Sequence, residues 1–440
     1  MMRKAVYHSF YAQCLRYIYA ITLLFVASNT SVANSVIDSL QATLVNSTGT
    51  QRLNAHYELC RQYAVAGKLT DAQYHARQQL KLATRYNMYE QEADALYMLG
   101  VVDQLNGQPE TAAHFHLQAL EIRKSLNDVQ GLFKSYNSIA VIFYKQKSYD
   151  HALHYYESAL KLKVFQTDGE VLATVFKNTG ILYRNKSQYT QALNCFEQAM
   201  ALYDSLGDSK RLASLYNHIG LVYKMQEDYA NAALYYTEAI ALSKSIRSDK
   251  CHAYALNNLG RLYQLQAAYT SAIPYFEESL ALKKATADAK GQVGTLYNLA
   301  KANYKLGKVN QSEELLLQAA SMVKDTWLQE VAQIHKLLAY IYQERGNASL
   351  AASHNDLYIQ ANAKLAKLKA QRKYQTDSLR NSIDQVKVTF DQKQINSRKA
   401  HTGSFYSMLF ILLTFLLAVT YYVLKRVKIQ QPSSKSPLSQ

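Results

Sequence analysis

Residues 216–239 read YNHIGLVYKMQEDYANAALYYTEA. Tyr216, Ile219, Gly220 and Tyr223 recur at three-four spacing, and after a polar break Ala232, Tyr236 and Ala239 follow. That spacing places each set on one face of a helix, so the stretch predicts two helices joined by a turn. Forty residues upstream the register returns as Phe176, Gly180, Tyr183, Ala192, Phe196 and Ala199, and before that as Tyr136, Ile139, Ala140, Phe143, Ala152, Tyr156 and Ala159. Downstream it returns as Leu256, Leu259, Gly260, Tyr263, Ala272, Phe276 and Ser279. Leu96, Leu99, Gly100, Gly107, Ala112 and Ala119 form a further copy, as do Leu296, Leu299, Ala300, Gly307, Ser312, Leu316 and Ala319. Weaker copies flank these, around Leu59-Cys60 with Tyr63, Gly67 and Ala72, and around Leu338-Ala339 with Tyr342, Gly346 and Ala351.

The small-residue positions fall at 60, 100, 140, 180, 220, 260, 300 and 339, a period of 40 with one step of 39. Gly100, Ala140, Gly180, Gly220, Gly260 and Ala300 sit between large residues and let two helices approach closely. A single helix pair cannot bury such a face, so copies must stack. Turns are expected near Gly67, Gly107, Gly307 and Gly346, and Pro109 falls where a second helix should start. Short Asp-containing links such as Asn127-Asp128 and Thr167-Asp168-Gly169 would join one pair to the next.

The quoted register resembles the tetratricopeptide repeat (TPR), W-x2-L-G-x2-Y…A-x3-F…A, over about 300 residues. The resemblance implies an all-α, right-handed superhelical solenoid of about eight helix-turn-helix repeats, here over 56–360. The period exceeds the usual 34 and the proline often found at the repeat end is absent, so longer helices are expected. Long-period repeats of this kind resemble those of kinesin light chains and of the LGN class of peptide-binding adaptors. Residues 34–55, with Val36, Ile37, Leu40 and Leu44 at helical spacing, read as an N-terminal capping helix.

Composition agrees. Of 440 residues only 15 are Gly and 4 Pro, too few turn formers for a sandwich or barrel. Four Cys cannot staple a chain of this size, so packing must hold it. The net charge of +16 invites a nucleic-acid reading, but its position argues against one. Residues 1–33 contribute +3 and residues 361–440 contribute +11, leaving the long middle at +2. Both ends carry apolar segments. Arg3, Lys4 and Arg16 precede the uncharged Tyr17–Ala27, and Ser31-Val32-Ala33 follows with small residues at the −3 and −1 positions. That is the pattern of a cleavable signal peptide over 1–33, an uncleaved anchor or buried helix being the alternative. Residues 405–424, FYSMLFILLTFLLAVTYYVL, match the ~20 needed to span a bilayer; the alternative is a buried core helix. Tyr406, Tyr421 and Tyr422 lie near the span's ends, and Lys425, Arg426 and Lys428 predict that the tail 425–440 is cytoplasmic. Between array and span, 361–400 reads as a basic helix with a short coiled-coil seam at Leu379, Ile383, Val386 and Phe390, a candidate homodimer contact over 379–390.

Chemistry is largely absent from the sequence. There is no P-loop, dinucleotide-binding glycine run, H-E-x-x-H or G-x-S-x-G. Cys60 replaces a packing Gly/Ala and reads as a small buried apolar group. His114-x-His116 and His151-x-x-His154 lack a nearby third ligand. No catalytic, metal or cofactor site is therefore expected, nor an enzyme. What remains is the inner wall, lined by the first helices of a stacked solenoid. Residues one step past the packing positions point towards it. These are Asn137 and Tyr144; Lys177 and Arg184; Asn217 and Lys224; Asn257 and Arg261. Asn178, Asn258 and Asn298 sit one residue further on. An amide both donates and accepts, so such a row can pair with the backbone of an extended peptide. Lys177, Arg184, Lys224 and Arg261 favour an acidic ligand. The alternative is a polar wall whose Asn side chains bond the neighbouring helix.

Signal, array, basic helix and single span together resemble the sensory half of Bacteroidetes-type TPR histidine kinases and regulators. No phosphoacceptor His or DNA-binding helix fits the tail that follows the span. The resemblance implies a single-pass bacterial inner-membrane protein with a periplasmic TPR body that senses or adapts through a protein or peptide partner. The competing reading is an assembly or secretion scaffold with no signalling role.

Overall fold

The computed structural model describes residues 35–162 and 168–429. The signal segment, 1–33, and the last part of the tail, 430–440, lie outside them. By its internal contacts the chain divides into two compact units, 1–380 and 381–440.

Among the described residues the first unit is built of helices and short turns. A helix over 35–46 (α1) precedes α2 (Gly49–Val65), so the stretch expected as one capping helix holds α1 and the start of α2. Antiparallel pairs then follow without interruption: α2 with α3 (Leu69–Arg85), α4 (Tyr89–Leu105) with α5 (Pro109–Leu126), and α6 (Val129–Lys145) with α7 (Tyr149–Lys161). Next come α8 (Gly169–Asn185) with α9 (Tyr189–Ser205), and α10 (Ser209–Met225) with α11 (Tyr229–Ser245). They are followed by α12 (Asp249–Leu265) with α13 (Tyr269–Ala285), and α14 (Ala289–Lys305) with α15 (Val309–Met322). Finally α16 (Leu328–Glu344) precedes α17 (Ala348–Ile429).

Most of these helices are 17 residues long and are joined by three-residue turns, which accounts for a 40-residue repeat. Five linkers start their helix with an Asp N-cap. Asp128, Asp208, Asp228 and Asp288 accept the N–H of the residue three places on, and Asp168 accepts that of Glu170. Each satisfies one orphan donor of a helix start. Pro109 opens α5, and a second proline, Pro274, sits inside α13.

The small-residue register is what brings the helices of a pair together. A Cβ added at Gly180 would lie 2.5 Å from Phe196 Cε1, and one at Gly220 would lie 2.6 Å from Tyr236 Cε1. At Gly260 it would lie 2.7 Å from Phe276 Cε1, and at Gly100 2.7 Å from the ring of His116. Ala140 and Ala300 occupy the same register fully buried. Cys60 is buried there too, and burial pushes its thiol up to about 12, as expected of an inert packing group. First helices also meet across repeats: α2 touches α4, α4 touches α6, and α8, α10, α12, α14 and α16 touch in turn. They form two runs of first helices, α2 to α6 and α8 to α16.

Two expectations lie at the edge of the described residues. The span 405–424 falls within α17, but the side chains of 405, 406, 409 and 415–424 are not among those described. Among the described residues no helix is long and apolar enough to cross a membrane. Of the coiled-coil seam, Leu379 and Ile383 are buried; the side chains of Val386 and Phe390 lie outside the described set.

Candidate functional site

The repeat places Asn137, Lys177, Asn217 and Asn257 at one register on α6, α8, α10 and α12. Asn178, Asn258 and Asn298 stand next to it on α8, α12 and α14. All are half-buried except Asn217, which is buried. The amides form cross-repeat bonds. Asn258 Nδ2 donates to Asn217 Oδ1 at 3.2 Å, and Asn298 Nδ2 donates to Asn257 Oδ1 at 3.1 Å. Asn257 Oδ1 also accepts from Thr295 Oγ1 at 3.3 Å. Asn178 instead donates to Tyr156 Oη at 3.1 Å. Asn217 is engaged at both ends, because its Nδ2 donates to Ala213 O at 3.3 Å. The asparagine row thus ties first helix to first helix, and Asn217 in particular is committed to the array.

The cations behave differently. Lys177, Arg184 and Lys224 are half-buried and Arg261 is exposed. Among the described residues none of the four pairs with a carboxylate; Arg184 Nη2 bonds only Asn185 Oδ1, at 3.0 Å, and its Nη1 lies 3.3 Å from His218 Nδ1. Burial, with Arg261 and Arg184 nearby, pulls Lys224 down to about 8. Burial and then Arg211 also lower Lys177, and burial lowers Arg184. His218 is driven to about 3 by burial, Arg184 and Lys177, so it is neutral at pH 7. No acid offsets these groups. An unbalanced, half-buried positive patch is a place where an anion gains from both charge and desolvation. Tyr144, half-buried on α6, lies in the charge field of Arg184 and edges this patch.

Two of the paired histidines are placed against aromatic and glycine neighbours. His116, paired with His114 in the sequence as a candidate ligand set, is fully buried against Gly100. It occupies the register of Tyr156, Phe196, Tyr236 and Phe276 and is a packing ring. His151 stacks on Phe143 at 5.0 Å and sits 2.9 Å from Ser148 Oγ. Among the described residues no three His, Cys, Asp or Glu side chains could hold a metal. Sequence reasoning passed over His218 and Tyr236 Oη. Their signal was available in the register: a ring nitrogen where other copies carry an amide, and a hydroxyl where two copies carry Phe.

Comparison with known proteins agrees with this geometry. The tetratricopeptide repeat model matches residues 131–205, 171–245 and 211–285. The fold is a TPR solenoid. No curated protein matches the sequence. Among solved structures, the apo quorum sensor NprR from B. thuringiensis is similar at 18% identity and TM-score 0.52, over 68% of this chain and 84% of that one. Apo RapI is similar at 15% identity and TM-score 0.51, over 63% of this chain and 99% of that one. A signal-transduction ATPase with a tetratricopeptide repeat sensor from Pyrococcus horikoshii matches at 14% identity and TM-score 0.51, over 76% of this chain and 54% of that one. At these identities the likeness concerns the TPR fold.

Proposed function

We propose that the first-helix wall of the TPR array binds a protein or an extended peptide, and that the chain catalyses nothing. One observation carries the reading: Lys177, Arg184, Lys224 and Arg261 line adjoining repeats of one wall with no acid to balance them. A structural polar wall would be expected to neutralise its own charge, because half-buried unpaired cations cost solvation. The solved relatives described as a quorum sensor and as bearing a TPR sensor support a sensing or adaptor role acting through a partner.

The body is proposed to stand outside the cytoplasm on a single inner-membrane anchor at 405–424, with the tail inside. The run of uncharged residues supports this, as does the exposure of Met408, Phe410, Ile411, Leu412 and Leu413. Five adjacent-turn apolar groups open to water would be costly outside a bilayer. A homodimer through 379–390 is proposed as well, supported by the apolar spacing of Leu379, Ile383, Val386 and Phe390.

The test is photo-crosslinking in cells. A benzoylphenylalanine at 261, on the wall, should trap a partner, whereas one at the exposed Glu238 of α11 should not. Equal adducts from both positions, or none from 261, would reject wall binding. Alkaline extraction of membranes tests the anchor: the full chain should stay in the pellet and a chain ending at residue 400 should be released.

A further inference from the structure

Two of the unbalanced cations, Arg184 and Arg261, act on a hydroxyl that lacks a partner. Tyr236, on α11, is wholly buried with its ring against Gly220, and its Oη makes no hydrogen bond. Equivalent positions show how the array ordinarily handles this place. Phe196 and Phe276 carry no hydroxyl, and Tyr156 Oη is satisfied by Asn178. In the copy containing Tyr236 the amide at the Asn178 register is Asn258, and it turns to Asn217 instead. The phenol is left in the charge field of Arg261 and Arg184, and burial keeps its proton on. A buried donor without an acceptor is rare and calls for an explanation.

Arg184, Lys224 and Arg261 come from three successive first helices, α8, α10 and α12. Lys177 extends the row on α8, and the neutral His218 holds Arg184 from α10. Because Lys177 stands about two turns from Arg184 along α8, one terminal carboxylate would answer only part of the row. A ligand with several acids along an extended chain would answer all of it.

We propose that this is an oxyanion site for the acidic side chains of a bound peptide: Arg184, Lys224 and Arg261 pair with a carboxylate, Tyr236 Oη donates to it from beneath, and Lys177 meets a neighbouring acid. The assignment rests on the wall-binding reading and narrows its partner to an acidic segment. The amides at 257, 258 and 298 stand on the same wall and are bonded across repeats.

The probe is a fluorescein-labelled Glu decapeptide with an amidated C-terminus, titrated onto the full chain in detergent by fluorescence anisotropy. A Gln decapeptide and tripolyphosphate serve as comparison ligands. The Glu peptide should bind about tenfold or more tighter than the Gln peptide, and K224Q/R261Q should remove that difference. Tyr236→Phe should weaken the Glu peptide by about tenfold while leaving Tm unchanged or higher, since Phe196 and Phe276 fill the same place against Gly180 and Gly260. Equal affinity of Tyr236→Phe and the parent would overturn the role of the hydroxyl, and with it the site. Tight, Tyr236-dependent binding of tripolyphosphate with no binding of the Glu peptide would overturn the carboxylate assignment in favour of a phosphoanion. Crosslinks from position 261 that persist without Glu-peptide binding would overturn the acidic partner alone, leaving the wall reading in place.

Discussion

His116 shows how far a single residue can depart from the pattern that contains it. Both of its ring nitrogens are buried without a hydrogen-bond partner, and burial with Arg123 nearby drives its pKa to about 3. A buried unsatisfied polar group costs about 1–3 kcal/mol. His116→Phe, the residue found at 196 and 276, should therefore raise stability by about that amount in urea melts, and a loss would contradict the packing assignment. The pH sign follows from the depressed pKa. The neutral ring is the folded form, so its contribution is complete above about 6.5 and is lost as pH falls towards 3. The parent should lose stability on acidification and His116→Phe should lose less. The opposite case is Gly180, whose added Cβ would meet Phe196 at 2.5 Å and the Ala192 carbonyl oxygen at 3.1 Å. Gly180→Leu should cost on the order of 1–3 kcal/mol, and an unchanged Tm would refute the register. Gly180 was legible because a missing side chain between two large ones has few other meanings. His116 was not, because His in a sequence suggests ligation, and only the 40-residue register marks its position as an aromatic packing site.

At the scale of elements, the sequence announced some turns and hid others. Gly67, Gly107, Gly207, Gly307 and Gly346 end helices with positive φ, as helix-ending glycines do. The same left-handed position is filled by Asn87, Asn127, Lys147, Ser187, Glu227, Arg247, Ala267 and Ala287. Ala and Glu there carry no composition signal, since they are good helix formers; the register alone places them in a turn. A left-handed L-residue costs roughly 1–2 kcal/mol. Ala267→Gly and Ala287→Gly should each raise the urea midpoint, together by about 2 kcal/mol, and a decrease would show that these turns are not strained. The Asp caps carry the converse expectation. Asp208 receives the Arg211 N–H at 2.9 Å, so Asp208→Ala should cost about 1 kcal/mol. The proposed groove was legible to the same degree as the turns. Periodicity placed the amides and cations on one wall, but only side-chain geometry showed that Asn217 is spent within the array while the cations are not balanced.

Over the whole array the two terminal repeats share a device that the interior lacks. His56 Nδ1 lies 3.0 Å from His75 Nδ1, with Tyr63 stacked on His75 at 5.5 Å. At the other end His335 Nδ1 lies 3.0 Å from His354 Nδ1, with Tyr342 stacked on His354 at 5.4 Å. The two arrangements occupy the same register in the first and last repeats. Interior copies carry Tyr136 beside Tyr155 and Tyr216 beside Tyr235 in their place. A bond between two imidazoles requires one ring to donate and the other to accept, so at most one can be charged. Burial, then His75 and Arg52, lower His56 to about 4; burial lowers His75 against the pull of Asp71. Burial also lowers His354, and burial with His354 lowers His335. All four shifts are downward, so each pair stabilises the fold above about 6.5 and loses its contribution as pH falls below that, for His56 towards about 4. Stacked repeats are held by nearest neighbours, and a terminal repeat has only one. Acid should therefore open the array from its ends. Hydrogen exchange at pH 5 against pH 7.5 should show α2, α3 and α16 losing protection before α12 and α13, and uniform loss would count against the pairs. His56→Tyr with His75→Tyr copies the interior arrangement and should retain protection at the first repeat while the last still frays, because a change confined to one end reaches the other only through every repeat between.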